Sequence, residues 1–314
     1  MPFTLSHAAA VLPAIRRTGA GRGRLVASAL VAGSFAPDLT YYAATVVPGA
    51  MEFGKVTHGL LGVLTVDVAL TAALVGGWLL VREPLLALLP RAWQGRAYAF
   101  ARGRPWRPRG PRQLAALAGW FVLSAVLGCA SHVVWDAFTH PGRWGTRLVP
   151  VLNEWVGGRP VAAYVQSGSS ALALAAIGWF LWTALRSGRG EGPPAAVPVL
   201  TVRLRLLLAA PLALCVAAGA VHRTLRAYAV FGGTATWFDY VPSALFGAGA
   251  GLAAGLVVHA VAVRLLHRRM RRADGADDGR AAPERIAGAD PAPRPASPQG
   301  RPGGRPAAGR RGPG

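Results

Sequence analysis

The chain reads as all-α: a polytopic transmembrane helix bundle of five to six spans plus a short N-terminal helix. Three observations predict this. Hydrophobic residues make up 53% of the 314 and charged residues only 15%, too apolar for an ordinary soluble domain. Several apolar runs reach the roughly 18 residues needed to cross a bilayer. The basic residues lie between those runs and in the tail, as in the loops of membrane proteins. The net charge of +21 therefore predicts membrane lipids as neighbours and no nucleic-acid partner.

The elements follow in order. "MPFTLSHAAAVLPAI" is too short to span and predicts a short helix tucked against the bundle. Its positive charge follows the apolar stretch, which argues against a cleaved signal peptide. "LVASALVAGSFAPDLTYYAA", 25–44, is a weak sixth span containing Pro37 and Asp38. Clear spans are expected at 59–81, 114–138, 169–185, 204–221 and 241–266. The third is short. The fourth carries Pro211, a kink that neighbouring helices tolerate. The fifth has a stripe of Gly247, Gly251 and Gly255 that suits close helix packing. Cys129 and Cys215 lie inside apolar runs with no metal-ligand spacing, as small hydrophobes do.

Arginines orient the set. Eight fall in the 82–113 loop, and 186–203 and "RRMRR" are also basic, all on one side if the spans alternate. That side is expected to be cytoplasmic, together with the tail. Two regions follow: a helical membrane domain over 1–267, and a basic tail over 268–314 rich in Pro, Gly, Ala and Arg, expected to be disordered.

Ionisable residues inside spans are costly and mark sites. In "SHVVWDAFTH", His132, Asp136 and His140 are spaced by four and share one helix face. By the orientation above, Asp38 and His58 come to the same leaflet as His132 and Asp136. His7 joins them if its helix folds back. Three imidazoles and two carboxylates suit a divalent metal, zinc above all. A dication would also offset the cost of carboxylates in hydrocarbon, roughly 2.5 to 3.5 kcal/mol each. The metal set expected is His7, Asp38, His58, His132 and Asp136, with Asp38 or Asp136 left over as a catalytic carboxylate. His140 precedes Pro141 and is placed at the rim. His222, Arg223 and Arg226, near Asp239, are candidates for the same rim, as phosphate contacts or as interfacial snorkelling residues. The alternatives are structural: His132 with Asp136 as a hydrogen-bonded pair, His58 as a helix-start residue, Asp38 as a turn residue. His259 reads as a helix-packing hydrogen bond, and Asp67 has no evident cation.

The motifs "MPFTLSHAAAVLP", "GSFAPDLTYY", "THGLLG" and "SHVVWDAFTHPG" closely resemble a bacterial family known as domain of unknown function 4184, over about residues 1–240. More distantly, the chain is similar to inner-membrane-bound metal-dependent hydrolases, themselves compared with zinc-dependent phospholipases C. That resemblance implies His7, Asp38, His58, His132 and Asp136 as the matching site residues. Thr40 and Phe53 stand where those hydrolases have a further Asp and His, which implies one metal rather than two. The function expected is a membrane-bound, metal-dependent hydrolase acting on a lipid-borne phosphoester or similar bond at the outer leaflet. The alternative is a non-catalytic membrane scaffold or accessory protein with a structural His/Asp cluster.

Overall fold

A computed structural model describes residues 4–188, 194–232 and 235–287, without the side chains of 237, 238 and those beyond 269. Two units are resolved, Met1–His267 and Arg268–Gly314. The first is a helix bundle. Five of its helices are long and apolar enough to cross a membrane, making the chain a multi-pass membrane protein.

A 3-10 helix, Thr4–Ala14, opens the chain. It folds back onto the bundle, with Ser6 Oγ donating to Ser170 Oγ at 3.3 Å, and His7 is fully buried. The expected span at 25–44 does not form. In its place stand α1 (Ala27–Gly33), a 3-10 turn at Ala36–Asp38 and α2 (Leu39–Ala43). Pro37 accounts for the break: it lacks an N–H and holds the residue before it out of regular helix. The short α3 (Gly54–Thr57) and α4 (Leu60–Leu64) follow.

The first span, α5 (Val66–Leu86), begins later than expected, because Thr65 leaves helical geometry at φ −129° and ψ −78°. At 1.5 Å per residue its length is about 31 Å, a bilayer's hydrocarbon thickness. The basic loop expected after it contains α6 (Arg91–Arg102), which buries Gln94 and Ala97. Next, α7 (Pro111–Thr139) starts on Pro at its first helical position. It stops where His140 turns extended ahead of Pro141. Beyond lies α8 (Trp144–Leu148). A two-stranded hairpin then pairs β1 (Trp155–Val156) antiparallel to β2 (Arg159–Pro160). Gly157 and Gly158, both at positive φ (59° and 80°), form its turn. The span α9 (Val161–Ser187) is longer than the expected 169–185, since the stretch before it, with Gln166 and Ser167, is helical despite its polarity. Then come α10 (Val202–Phe231) and α11 (Trp237–Ala287). Residues 268–287 of the expected disordered tail thus continue as helix, as Ala- and Arg-rich sequence allows. The rest of that tail lies outside the described residues.

Two packing features position the site. The short α1 wedges between α5 and α7, and a Cβ on Gly128 would lie 2.3 Å from the Leu30 carbonyl oxygen. Only glycine permits that backbone approach. The expected Gly stripe does pack α11 on α10: a Cβ on Gly251 would fall 2.0 Å from the Cys215 carbonyl oxygen. His259 ties three helices together, its nitrogens 3.1 Å from Leu208 O and 3.0 Å from Pro84 O.

Candidate metal centre

The five residues singled out from the sequence converge in one buried hollow. His132 and Asp136 project from the last third of α7. Asp38 ends the Ala36–Asp38 turn, and His58 caps the C-terminus of α3 rather than opening a span. Thr57 Oγ1 donates to the Pro37 carbonyl at 2.8 Å, which fastens the segment bearing His58 to the one bearing Asp38.

Asp38, His58, His132 and Asp136 each offer one ligand atom, and all four atoms lie within 4.8 Å of one another. His58 Nε2 is 3.7 Å from Asp38 Oδ1 and 3.5 Å from Asp136 Oδ2. His132 Nε2 is 3.5 Å from Asp38 Oδ1 and 3.6 Å from Asp136 Oδ2. These separations are long for hydrogen bonds. They are close to the separation of about 3.4 Å between N and O atoms that each bond zinc at about 2.1 Å. The donor set present could hold a metal ion.

Neighbouring groups aim the ligand atoms. His132 Nδ1 donates to the Ser34 carbonyl at 2.8 Å, across the α1–α7 contact that Gly128 permits. His58 Nδ1 donates to the Gly54 carbonyl at 3.0 Å. A carbonyl can only accept, so each ring carries its hydrogen on Nδ1 and turns Nε2 toward the hollow. Such outer partners orient imidazole ligands at metal sites. Both Nε2 atoms are buried and have no hydrogen-bond partner. Thr4 Oγ1 donates to Asp38 Oδ2 at 2.5 Å and leaves Oδ1 to the hollow.

His7 meets the group from the side. Its ring stacks on His132, centroids 3.8 Å apart, and its Nε2 lies 3.5 Å from Asp136 Oδ1. Burial, reinforced by the adjacent His132, pulls the His7 pKa down to about 3, so the imidazole is neutral at pH 7. Burial pushes the Asp38 carboxyl up, but His132 and the Thr4 hydrogen bond outweigh it and leave the group below its usual range.

The rim differs from expectation. His140 lies beside the group, with Nδ1 3.4 Å from Asp136 Oδ1. Its Nε2 faces Gln166 Nε2 at 3.0 Å, so Gln166 donates and His140 is held as a neighbour. His222 is exposed on α10. Arg223 reaches Tyr41 O and, at 2.8 Å, Thr45 Oγ1. Arg226 reaches Thr45 O at 3.3 Å. Both guanidinium groups thus satisfy carbonyls at the end of α2 rather than face the hollow. Asp67, buried in the first turn of α5, has neither carboxylate oxygen hydrogen-bonded. Thr40 is buried and Phe53 is exposed.

Sequence reasoning missed Arg143 and Tyr41. The Tyr41 ring lies 5.7 Å from His58. Burial and Asp38 raise its phenol, while the positive charge of Arg143 opposes them. The same charge acts on His140. The available signal was position: Arg143 closes the turn directly after the His132–His140 motif.

No curated protein and no solved structure matches the chain, so the hydrolase likeness rests on the motifs alone. A family model does match, from the first residue to about the middle of α11. Over residues 1–261 the chain belongs to the family described as domain of unknown function (DUF4184).

Proposed function

We propose that the chain is a membrane-bound hydrolase that uses one divalent metal, zinc, to cleave a phosphoester or similar bond in a lipid-borne substrate. The observation that carries this reading is the set of four buried ligand atoms within 4.8 Å of one another, with the Nδ1 atoms of both imidazoles hydrogen-bonded from outside. When bound, zinc supplies Lewis acidity and lowers the pKa of a coordinated water toward about 7.

The chain's own residues divide the remaining work. His58, His132, Asp38 and Asp136 hold the ion through Nε2, Nε2, Oδ1 and Oδ2. His7 stacks on His132 and fixes the plane of that ring. Asp136 Oδ1, outside the set and flanked by His7 and His140, is where the proton of the attacking water is held. Water adds across the P–O bond, and the proton passes to the leaving oxygen. Arg143, paired with Tyr41, binds the anionic oxygens of the substrate. The cluster lies at the end of the bundle poorer in arginine, which supports placing it at the outer leaflet.

The test is metal analysis of detergent-purified protein joined to a phospholipid hydrolysis panel. About one zinc per chain and a released headgroup or phosphate, both lost in His132→Ala, are expected. Zinc without any hydrolysis, with Arg143→Ala indistinguishable from wild type across the panel, would leave the structural cluster as the better account.

A further inference from the structure

The opposite end of the bundle holds a second feature, independent of the metal centre. A cavity of about 480 Å³ lies between the loop that precedes α1, the C-terminal half of α5, the start of α7 and the stretch 101–107. Five arginines line it: Arg24, Arg82, Arg102, Arg104 and Arg107. So do three indoles, Trp78, Trp106 and Trp120. Only Arg82 has a carboxylate partner among the described residues, Glu83 at 2.5 Å. Arg104 Nη1 is pinned to the Gly23 carbonyl at 3.0 Å. Arg24 and Arg107 are exposed, and no described carboxylate faces them.

The floor of this cavity depends on two glycines. Gly19 has φ +77°, and a Cβ there would lie 1.9 Å from the Phe100 carbonyl oxygen. Gly103 has φ +52°, and a Cβ there would lie 2.7 Å from the Gly19 carbonyl oxygen. The two loops therefore cross in backbone contact. Beside the cavity, and sharing Trp106 and Leu117 with it, is a hollow of about 470 Å³. Its walls are apolar except for Thr65, with Val68 and Ala72 on one side and Phe121 and Val122 on the other.

We propose that the two compartments bind one anionic phospholipid, with its phosphate among the arginines and an acyl chain in the apolar hollow. Guanidinium groups fork onto phosphate oxygens. Indoles sit at headgroup depth, amphipathic between water and hydrocarbon. A free anion would use only the first compartment and a neutral apolar molecule only the second. A phospholipid alone joins charge and chain as the shared Trp106 joins the two spaces.

The test uses the full-length protein in detergent, titrated with phosphatidylglycerol whose acyl chains are brominated, and with phosphatidylcholine carrying the same chains. Bromine quenches nearby indoles, and subtracting the Trp106→Phe signal isolates Trp106. Saturable quenching by phosphatidylglycerol is expected, with phosphatidylcholine weaker by roughly tenfold or more. The double variant Arg24→Ala/Arg107→Ala should raise the half-saturation point about tenfold, since each basic residue near anionic lipid contributes substantially. Both side chains are exposed, so its melting temperature should not change. Equal quenching by the two lipids, or a double variant that binds phosphatidylglycerol as wild type does, overturns the proposal. So does displacement by inorganic phosphate at concentrations comparable to the lipid, which would indicate a plain anion site.

Discussion

Removing the metal should destabilise the bundle by a calculable amount. One oxygen of Asp38 and one of Asp136 lie within 4.8 Å of each other. At an effective permittivity of about 20, two carboxylates at that separation repel by about 3.5 kcal/mol. Protons drawn from solvent would relieve part of this once the cation is gone. The linkage relation gives a similar size from the other direction, since a ligand held at 100 times its Kd stabilises by about 2.7 kcal/mol. For domains of 150–250 residues, each kcal/mol moves Tm by about 2–4 °C, so chelation should lower Tm by about 5–14 °C. The assay is intrinsic-fluorescence melting in detergent, comparing zinc-loaded protein with chelator-treated protein. His132→Ala removes a ligand nitrogen, so its melting should be insensitive to chelator. An unchanged Tm in chelator-treated wild type would refute the reasoning. A full chelator shift retained by His132→Ala would refute it equally, by showing that the ion sits elsewhere.

Other outcomes follow from individual contacts. In Gly128→Leu the new side chain meets the Leu30 carbonyl, so the α1–α7 contact opens at a cost of about 1–3 kcal/mol. Ser34 then loses His132 Nδ1, and zinc affinity measured by competition with a chelating dye should fall about 10- to 100-fold. His140→Ala should retain one metal per chain by mass spectrometry, because that imidazole is held by Gln166; loss of the metal would make His140 a ligand. Arg143→Ala should keep the metal and raise KM for an anionic substrate roughly tenfold, the worth of one charge-assisted hydrogen bond of about 1.5 kcal/mol; an unchanged KM would remove Arg143 from the substrate site. Gly251→Ile should lower Tm with no change in metal content, because its side chain would enter the Cys215 backbone; an unchanged Tm would mean α10 and α11 do not depend on that approach.

Long apolar segments were legible because period and length alone specify them. α7 and α11 needed only their hydropathy and flanking arginines. The errors fall where local chemistry overrode that signal. Residues 25–44 have the hydropathy of a weak span, yet Pro37 breaks them. α9 was read too short because its first turns carry Gln166 and Ser167, polar residues of which Gln166 is spent on His140. α6 was hidden in a basic loop because it buries only one edge. The site's ionisable members were legible because His and Asp are scarce in apolar sequence. Its orienting groups were not, since Ser34 and Gly54 act through carbonyls that every residue has. Nor could spacing reveal that Arg223 and Arg226 would be used on the end of α2.

Whether the cluster is merely a structural hydrogen-bond network turns on the kind of atoms that face one another. In such a network donors meet acceptors at about 2.7–3.2 Å. Here the Nδ1 hydrogens of His58 and His132 are already given to carbonyls. Their Nε2 atoms face carboxylate oxygens at 3.5 to 3.7 Å, longer than that range. Two buried carboxylates brought within 4.8 Å of each other repel unless positive charge lies beside them. Among the described residues, nine buried side-chain polar atoms lack a hydrogen-bond partner, and five belong to His7, His58, His132 and Asp136. Random packing faults would scatter such atoms through the bundle. Their concentration around one point, with tautomers fixed to face it, favours a site shaped for a divalent ion over a network that locks helices.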